Sequence, residues 1–494
     1  MEMTVFGAHD YDYDVGILGG GAAGLTVASG AAQLGAKTLL VEKEGRLGGD
    51  CLHFGCVPSK TLIRSARVYH LMKNAEKYGL PRVDAPPVDF GDIAARIAKV
   101  VAQIQKHDSE ERFCGLGARV RYGEPVFTDE HTVELRGERI TADKWVIATG
   151  SSPAAPPIPG LDTVDYFTNR EIFHLDHLPD SMIVLGGGPI GIEMAQAFSR
   201  LGTRVTVVDR GGQILGKEDP DMAAVVQRAM SMDGVEFCLN TQVQSVREHA
   251  GAREVTVKTP EGGEQVLRAE ALLVALGRVA NVMDLGLDSL GMEAGPRGIA
   301  VDDRMRTKHK HIFACGDAAG GYQFTHVAGY EGGVVLANAV FRIPRKADYT
   351  NVCWCTYTDP ELASIGMNER AATEAGIGYQ VIEEPFSAND RALAEEEQEG
   401  KAKLLLDEKE NPIGVQICGP HAGELISEWV AAFAGKARLS ALAGAIHPYP
   451  TLGEMGKKLA GDVLQPKVFS SKMKKGLHFV FATKGRACHP EQNG

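Results

Sequence analysis

Gly19-Gly20-Gly21-Ala22-Ala23-Gly24 separates two apolar segments, Tyr13 to Leu18 and Thr38 to Val41, and the second runs straight into Glu42. This order predicts a strand, a tight turn, an Ala-rich helix to about Leu34 and a second strand. The unit recurs. Ser181 to Leu185 leads into Gly186-Gly187-Gly188-Pro189-Ile190-Gly191, a helix runs to Leu201, and Arg204 to Val208 ends at Asp209. Twenty-three positions separate Gly19 from Glu42, and the same number separates Gly186 from Asp209. In such a unit the first glycine makes the strand-to-helix turn, the second lets backbone approach a pyrophosphate, and the third lets helix pack on strand. The helix start offers N–H groups and positive potential to the phosphates, and the acid accepts hydrogen bonds from a ribose. One glycine loop alone is a weak signal, because any glycine-rich turn resembles it. Two copies with the acid at the same distance predict two dinucleotide sites, in an α/β chain with two Rossmann-like domains.

Asp209 favours the free 2′-hydroxyl of NAD and repels a 2′-phosphate, whereas Arg210 directly after it would accommodate NADP. NAD is the expected nucleotide.

A chain of 494 residues is too long for one core and suggests about three domains. Hydrophobic content of 44% with 23% charged residues is that of a soluble globular protein. The net charge of −12 argues against nucleic acid as the main partner. No apolar run approaches the roughly 18–20 residues that span a bilayer. Met1 to Asp14 lacks the basic-then-apolar order of a signal peptide, so the cytoplasm is the expected compartment. Nine cysteines, an odd number, do not form a secreted disulfide framework. Cys114, Cys238, Cys315 and Cys418 lie among apolar or small residues and are expected to be buried.

Between the first unit and a helical stretch stands Gly48-Gly49-Asp50-Cys51-Leu52-His53-Phe54-Gly55-Cys56-Val57-Pro58-Ser59-Lys60. Cys51 and Cys56 read as a zinc half-site, as two structural thiols or as a redox pair. No second cysteine pair of suitable spacing completes a zinc site. Near a helix start the dipole lowers a thiol pKa, and the thiolate is the species that donates electrons or attacks a disulfide.

This stretch resembles the active-site signature of the pyridine nucleotide–disulfide oxidoreductases, the family of lipoamide dehydrogenase, glutathione reductase and mercuric reductase. The resemblance extends over nearly the whole chain: Ala148-Thr149-Gly150, Ala275-Leu276-Gly277-Arg278, Cys315-Gly316-Asp317 and Tyr357-Thr358-Asp359-Pro360-Glu361 match further motifs of that family. It implies FAD in the first glycine unit, held by Gly19, Gly21, Ala23, Gly24, Glu42, Lys43, Gly49, Asp50, Lys60, Gly123, Thr149, Gly150, Asp317 and Thr325. It implies a nicotinamide nucleotide, NAD(P)H, on Gly186, Gly188, Ile190, Gly191, Asp209, Arg210 and Gly277. By the same resemblance Cys56 is the thiolate nearest the flavin and Cys51 the interchange thiol that meets substrate. Lys60 and Glu193 match an ion pair beside the flavin. The implied architecture is an FAD domain over 1–155 and 280–348, a nicotinamide domain over 156–279, an α+β dimerisation domain over 349–465 and a basic extension over 466–494. A homodimer with a shared active site follows.

The C-terminal match departs from the disulfide reductases. Pro450-Thr451 and Glu454 align with the segment that carries their general base, and Tyr449 stands where they have histidine. Tyrosine, with a reference pKa of about 10, is a poor proton acceptor at neutral pH. His447, two residues upstream, is either a substitute base or a structural histidine. Tyrosine here, Gly-Gly-Asp before Cys51, Phe324-Thr325-His326-Val327-Ala328 and Asn389-Asp390-Arg391-Ala392 resemble the mercuric-reductase-like branch. Yet the vicinal cysteine pair near the C-terminus of mercuric reductases has only Cys488 as a counterpart, and no metal-binding segment precedes residue 13.

Cys353-Trp354-Cys355 presents two thiols on one strand face, as soft-metal ligands or as small hydrophobes. Glu395-Glu396-Glu397 reads as a solvated loop. The tail after Pro466 mixes lysines with Phe469, Leu477, Phe479, Val480 and Phe481, which suits either peripheral membrane contact or a packed or mobile extension. The expected function is an FAD-dependent NAD(P)H reductase of the mercuric-reductase-like branch, passing electrons to a thiophilic metal ion or a disulfide. Dihydrolipoyl dehydrogenase and a non-turnover redox sensor are the alternatives.

Overall fold

The computed structural model describes residues 11–485; Cys488, on which the tail comparison rests, lies outside the described residues. The described chain forms two compact units, one ending at Val352 and the other beginning at Cys353.

The first unit is built on two parallel sheets. In one, the strands Ala118–Tyr122, Thr38–Glu42, Tyr13–Leu18 and Glu138–Ile147 lie side by side in that order. The short strand Ile312–Ala314 pairs with Glu138–Ile147 from the far end of the sequence. Thr38–Glu42 is buried along its whole length, as a central parallel strand must be. Register pairs Val15 with Thr38 and Ile17 with Leu40. Gly16 lies against the face of Trp145, where a Cβ would stand 2.2 Å from Cζ3, so no larger residue fits there. The helix Ala22–Gln33 packs its alanines on this sheet and against the helix Thr325–Ala339.

The second sheet runs Glu236–Cys238, Arg204–Val208, Ser181–Leu185 and Ala271–Val274, all parallel. A three-stranded antiparallel meander, Gln242 to Ala269, covers it. Chain entering and leaving this region pairs as two short antiparallel strands, Ser151–Pro153 and Arg278–Ala280. The tie places Thr149-Gly150 beside the returning chain: Thr149 Oγ1 donates to Asn281 O at 2.6 Å, and Asn281 N donates to Gly150 O at 2.9 Å.

The second unit is a five-stranded antiparallel sheet, from Cys353–Thr356 to Tyr379–Pro385, with the helices Ala422–Ala434 and Glu454–Val468 on it. Cys353 and Cys355 are half-buried and pack against its core, as small hydrophobes do. Cys315 and Cys418 are buried, Cys238 is half-buried, and Cys114 is exposed. The expectation of burial fails for Cys114 because it ends the short helix Glu110–Gly115, whose buried residue is Phe113. Of the three glutamates, Glu395 pairs with Arg391 one helical turn back.

Candidate functional site

The two glycine loops repeat at the level of atoms. Gly19 and Gly186 have φ of +109° and +114°, and a Cβ would lie 2.3 Å from Ala148 O at the first and 2.4 Å from Ala275 O at the second. A Cβ on Gly24 would stand 1.9 Å from Gly19 O, and one on Gly191 2.1 Å from Gly186 O. Protein alone dictates glycine at these positions. Gly21 and Gly188 differ. A Cβ on Gly21 would have only Gly49 Cα within reach, at 3.8 Å, and one on Gly188 nothing within 4 Å. Each sits at a helix N-cap that has no side-chain cap, which leaves space and N–H groups for phosphates.

The acids repeat too. Glu42 accepts from Gly20 N at 2.7 Å and Glu44 N at 2.8 Å; Asp209 accepts from Gly187 N at 2.5 Å and Gly211 N at 2.6 Å. Each carboxylate therefore ties its loop to the end of the following strand and stays in place for a ribose. Burial raises the Glu42 pKa above the usual carboxylate range. Gly123 N donates to Glu42 O at 2.8 Å, while Lys43 and Arg210 are exposed beside the two acids. The open cradle and the tethered acid fit a dinucleotide in both loops.

The cysteine loop spans two helices. Cys51 lies in the turn Gly49–His53, and the helix Cys56–Lys73 begins at Cys56 itself. Between them the chain folds back at Gly55, where a Cβ would stand 3.0 Å from both Asp50 O and Cys51 Cα. This reversal brings the thiols together, each as a free cysteine. The Cys51 S–H donates to Cys56, Lys60 supplies positive charge and Thr325 a hydroxyl, which bring the Cys56 pKa down to about 6. The same bond and burial push Cys51 up. Cys56 Sγ lies 3.8 Å from Thr325 Oγ1, at the start of the helix Thr325–Ala339. The arrangement favours the thiolate form at Cys56 and the protonated form at Cys51.

Lys60 Nζ meets Glu193 Oε2 at 2.7 Å. One turn from Cys56, Lys60 is held by a nearly buried carboxylate on the helix that follows the second glycine loop.

Behind Cys51 lies a polar ring that the sequence does not announce. Arg278 Nη2 stands 3.0 Å from Asp50 Oδ2 and donates to Ser151 O at 2.8 Å; its Nε donates to Ser151 Oγ at 2.7 Å. Ser151 Oγ donates in turn to Asp317, whose pKa burial raises. Asn169 closes the ring: its Nδ2 donates to Phe54 O at 2.9 Å and lies 3.3 Å from Asp50 Oδ2, while its Oδ1 is 3.4 Å from Arg278 Nη1. Arg278 was visible only as the end of a motif, and Asn169 carried no signal at all.

In the second unit Tyr449 is 71% exposed and its hydroxyl donates to Asp390 Oδ2 at 2.8 Å. That bond raises the Tyr449 pKa further, the wrong direction for a base. Glu454 starts the helix Glu454–Val468, and Tyr449, Asp390 and Glu454 line one cleft of about 550 Å³. His447 Nε2 is bonded to Glu428 at 2.8 Å, so within this unit it belongs to a different cluster from Tyr449.

The profile described as pyridine nucleotide-disulphide oxidoreductase matches residues 13–332, and the dimerisation-domain profile of the same name matches 352–460. A mercuric reductase of Bacillus cereus is 35% identical over 455 residues, covering 91% of this chain and 71% of that protein. A dihydrolipoyl dehydrogenase of Bacillus subtilis (strain 168) is 34% identical over 459 residues, 90% of this chain and 96% of that one. Among solved structures, the HOCl-induced flavoprotein disulfide reductase RclA from Escherichia coli matches with a TM-score of 0.81 at 27% identity, over 91% of this chain and 99% of that chain. LpdA from Mycobacterium tuberculosis matches with a TM-score of 0.83 at 27% identity, over the same shares.

Proposed function

The chain belongs to the pyridine nucleotide-disulphide oxidoreductases, an FAD-dependent, NAD(P)H-using family of homodimers, and on that premise we propose that it reduces a thiophilic metal ion. Tyr449 carries this reading. A dithiol that reduces a disulfide needs a base to take its proton, and the residue at that position is a tyrosine whose hydroxyl is spent on Asp390. Capture of a soft metal ion needs two sulfur ligands. Cys56, with its pKa lowered to about 6, supplies the first as a thiolate at neutral pH. Cys51 supplies the second as it gives up its proton to the ligand that the ion leaves behind. A relative points the same way: a Cu(II) complex of the Escherichia coli reductase is among the matching structures.

FAD, when bound, would supply two-electron chemistry between the nicotinamide and the dithiol. The chain would hold it with the Gly19–Gly24 cradle, Glu42 and Asp317, and would hold the nicotinamide nucleotide with the Gly186–Gly191 cradle and Asp209. Lys60, fixed by Glu193, keeps a positive charge near Cys56 and so favours the thiolate. Asp209, with both oxygens engaged by backbone N–H groups, presents negative charge where a 2′-phosphate would come, which favours NADH. An odd count of nine cysteines, which does not suit a secreted disulfide framework, favours a cytoplasmic setting.

Dihydrolipoyl dehydrogenase is the second reading, favoured by relatives as similar as the mercuric reductases. Steady-state oxidation of NADH by the FAD-loaded enzyme, with thiol-complexed Hg(II), Cu(II), lipoamide and glutathione disulfide as separate acceptors, decides between them. Faster turnover with a metal ion is expected, and a higher kcat/KM for lipoamide would overturn the metal reading.

A further inference from the structure

The helix Ser471–Phe481 lies beyond residue 460, where the match to the dimerisation domain ends. Ser470 caps it, accepting from Met473 N at 3.4 Å, and none of its residues is buried. Met473, Leu477, Val480 and Phe481 stand at i, i+4, i+7 and i+8 and form one apolar face, 43–68% exposed. Ser471, Lys474, Lys475 and His478, at i, i+3, i+4 and i+7, form a separate polar face, and Lys472 and Phe479 flank the two. From Val463 to Gly485 there are five lysines and no aspartate or glutamate, in a chain whose net charge is −12. A soluble chain rarely leaves so continuous an apolar face open to water without something to cover it.

We infer that this helix is a docking surface for an anionic phospholipid bilayer. The apolar face would enter the headgroup–acyl boundary while Lys472, Lys474, Lys475 and Lys484 stay at the phosphate level, their stems lying along the apolar rim. Charge selects this occupant: an acid-free stretch with five lysines, in a chain of net charge −12, coincides with the exposed apolar face. A second copy of the chain is the less fitting cover, since the match to the dimerisation domain ends at residue 460, before the helix begins. The contact is with the surface, because no helix among the described residues is long and apolar enough to cross a membrane. An 11-residue helix is about 16 Å long and would lie in the plane of the interface.

The purified, FAD-loaded full chain is spun with large unilamellar vesicles of phosphatidylcholine, alone or mixed with phosphatidylglycerol. Cosedimentation is expected only with the anionic vesicles, and it should weaken as salt rises. Each lysine near such a surface is worth about fivefold in partitioning, so the K472Q/K474Q/K475Q variant should bind about a hundredfold more weakly. Leu477→Ser with Val480→Ser should lose binding with the charge intact, and NADH turnover should be unchanged in both variants. Emission of a Phe479→Trp variant should shift to the blue on anionic vesicles alone. Equal binding to both vesicle types, or none to either, overturns the proposal. So does a change from dimer to monomer in the L477S/V480S variant, read by sedimentation velocity without lipid, since that assigns the face to a second copy.

Discussion

Arg278 Nη2 lies 3.0 Å from Asp50 Oδ2, so the residue before Cys51 is ion-paired to the short strand Arg278–Ala280, where the chain returns from the second parallel sheet. Asn169 sits in the same ring and holds Phe54 O, so both flanks of Cys51 are tethered. Asn169→Ala should loosen the loop and lower the effective concentration of Cys51 at Cys56. A tenfold loss would make the pair more oxidising by about 30 mV. Equilibration of the holoenzyme thiols with glutathione buffers reads this directly, and Asn169→Gln should recover part of the shift. An unchanged potential would mean that the ring is structural only.

Cys56→Ser should remove the long-wavelength absorbance of the two-electron-reduced holoenzyme, while Cys51→Ser should keep it. In the wild type the band should titrate with Cys56. The folded pKa, about 6, lies below that of a free thiol at about 8.5, so the thiolate is lost as pH falls through about 6, and the stability it contributes is complete above about 8.5 and declines between there and about 6. A band that survives in Cys56→Ser refutes the assignment.

Lys60→Met removes the cation that favours the Cys56 thiolate and leaves Glu193 buried without its ammonium. The thiolate titration should move to higher pH, and the rate of reduction by NADH should fall about 10²-fold. Stopped-flow absorbance across a pH series measures both. Glu193→Gln, which keeps the lysine, should be milder.

Tyr449→His places an imidazole beside Glu454 and Asp390. If the missing base limits disulfide reduction, lipoamide turnover should rise at least about tenfold and acquire a pH limb near 6.5, the ordinary histidine value. Turnover with Hg(II) should stay within twofold. No gain with lipoamide would show that the base is not what limits it.

Asp209→Ser should narrow the preference for NADH. Loss of the negative charge removes repulsion of a 2′-phosphate, while the lost acceptors for Gly187 N and Gly211 N loosen the loop for both nucleotides. The ratio of kcat/KM for NADH over NADPH should drop about tenfold, and an unchanged ratio would move the discrimination to Arg210.

Sequence patterns led to those parts of the site whose geometry is local. Gly24 and Gly191 are glycines because a side chain would strike a carbonyl five residues earlier in the same loop, and such constraints repeat wherever the loop repeats. The pairing of Lys60 with Glu193 was legible by a different route, as a family match, since the two lie far apart in the chain. Cys114 misled because its apolar neighbours face inward from a short helix while it faces out.

Residues 19–24 and 186–191, with Cys51 and Cys56 as the fourth and ninth residues of the stretch from Gly48 to Lys60, were enough by themselves to predict two dinucleotide sites and a close pair of thiols: backbone strain and thiol spacing act within a few residues. Tertiary structure alone decided what those thiols are worth. Cys56 is acidic because Cys51, Lys60 and Thr325 converge on it, and Cys51 is steadied because Arg278 and Asn169 arrive from another part of the fold. It also left the apolar face of Ser471–Phe481 uncovered, since burial depends on which surfaces meet and not on the pattern of one helix.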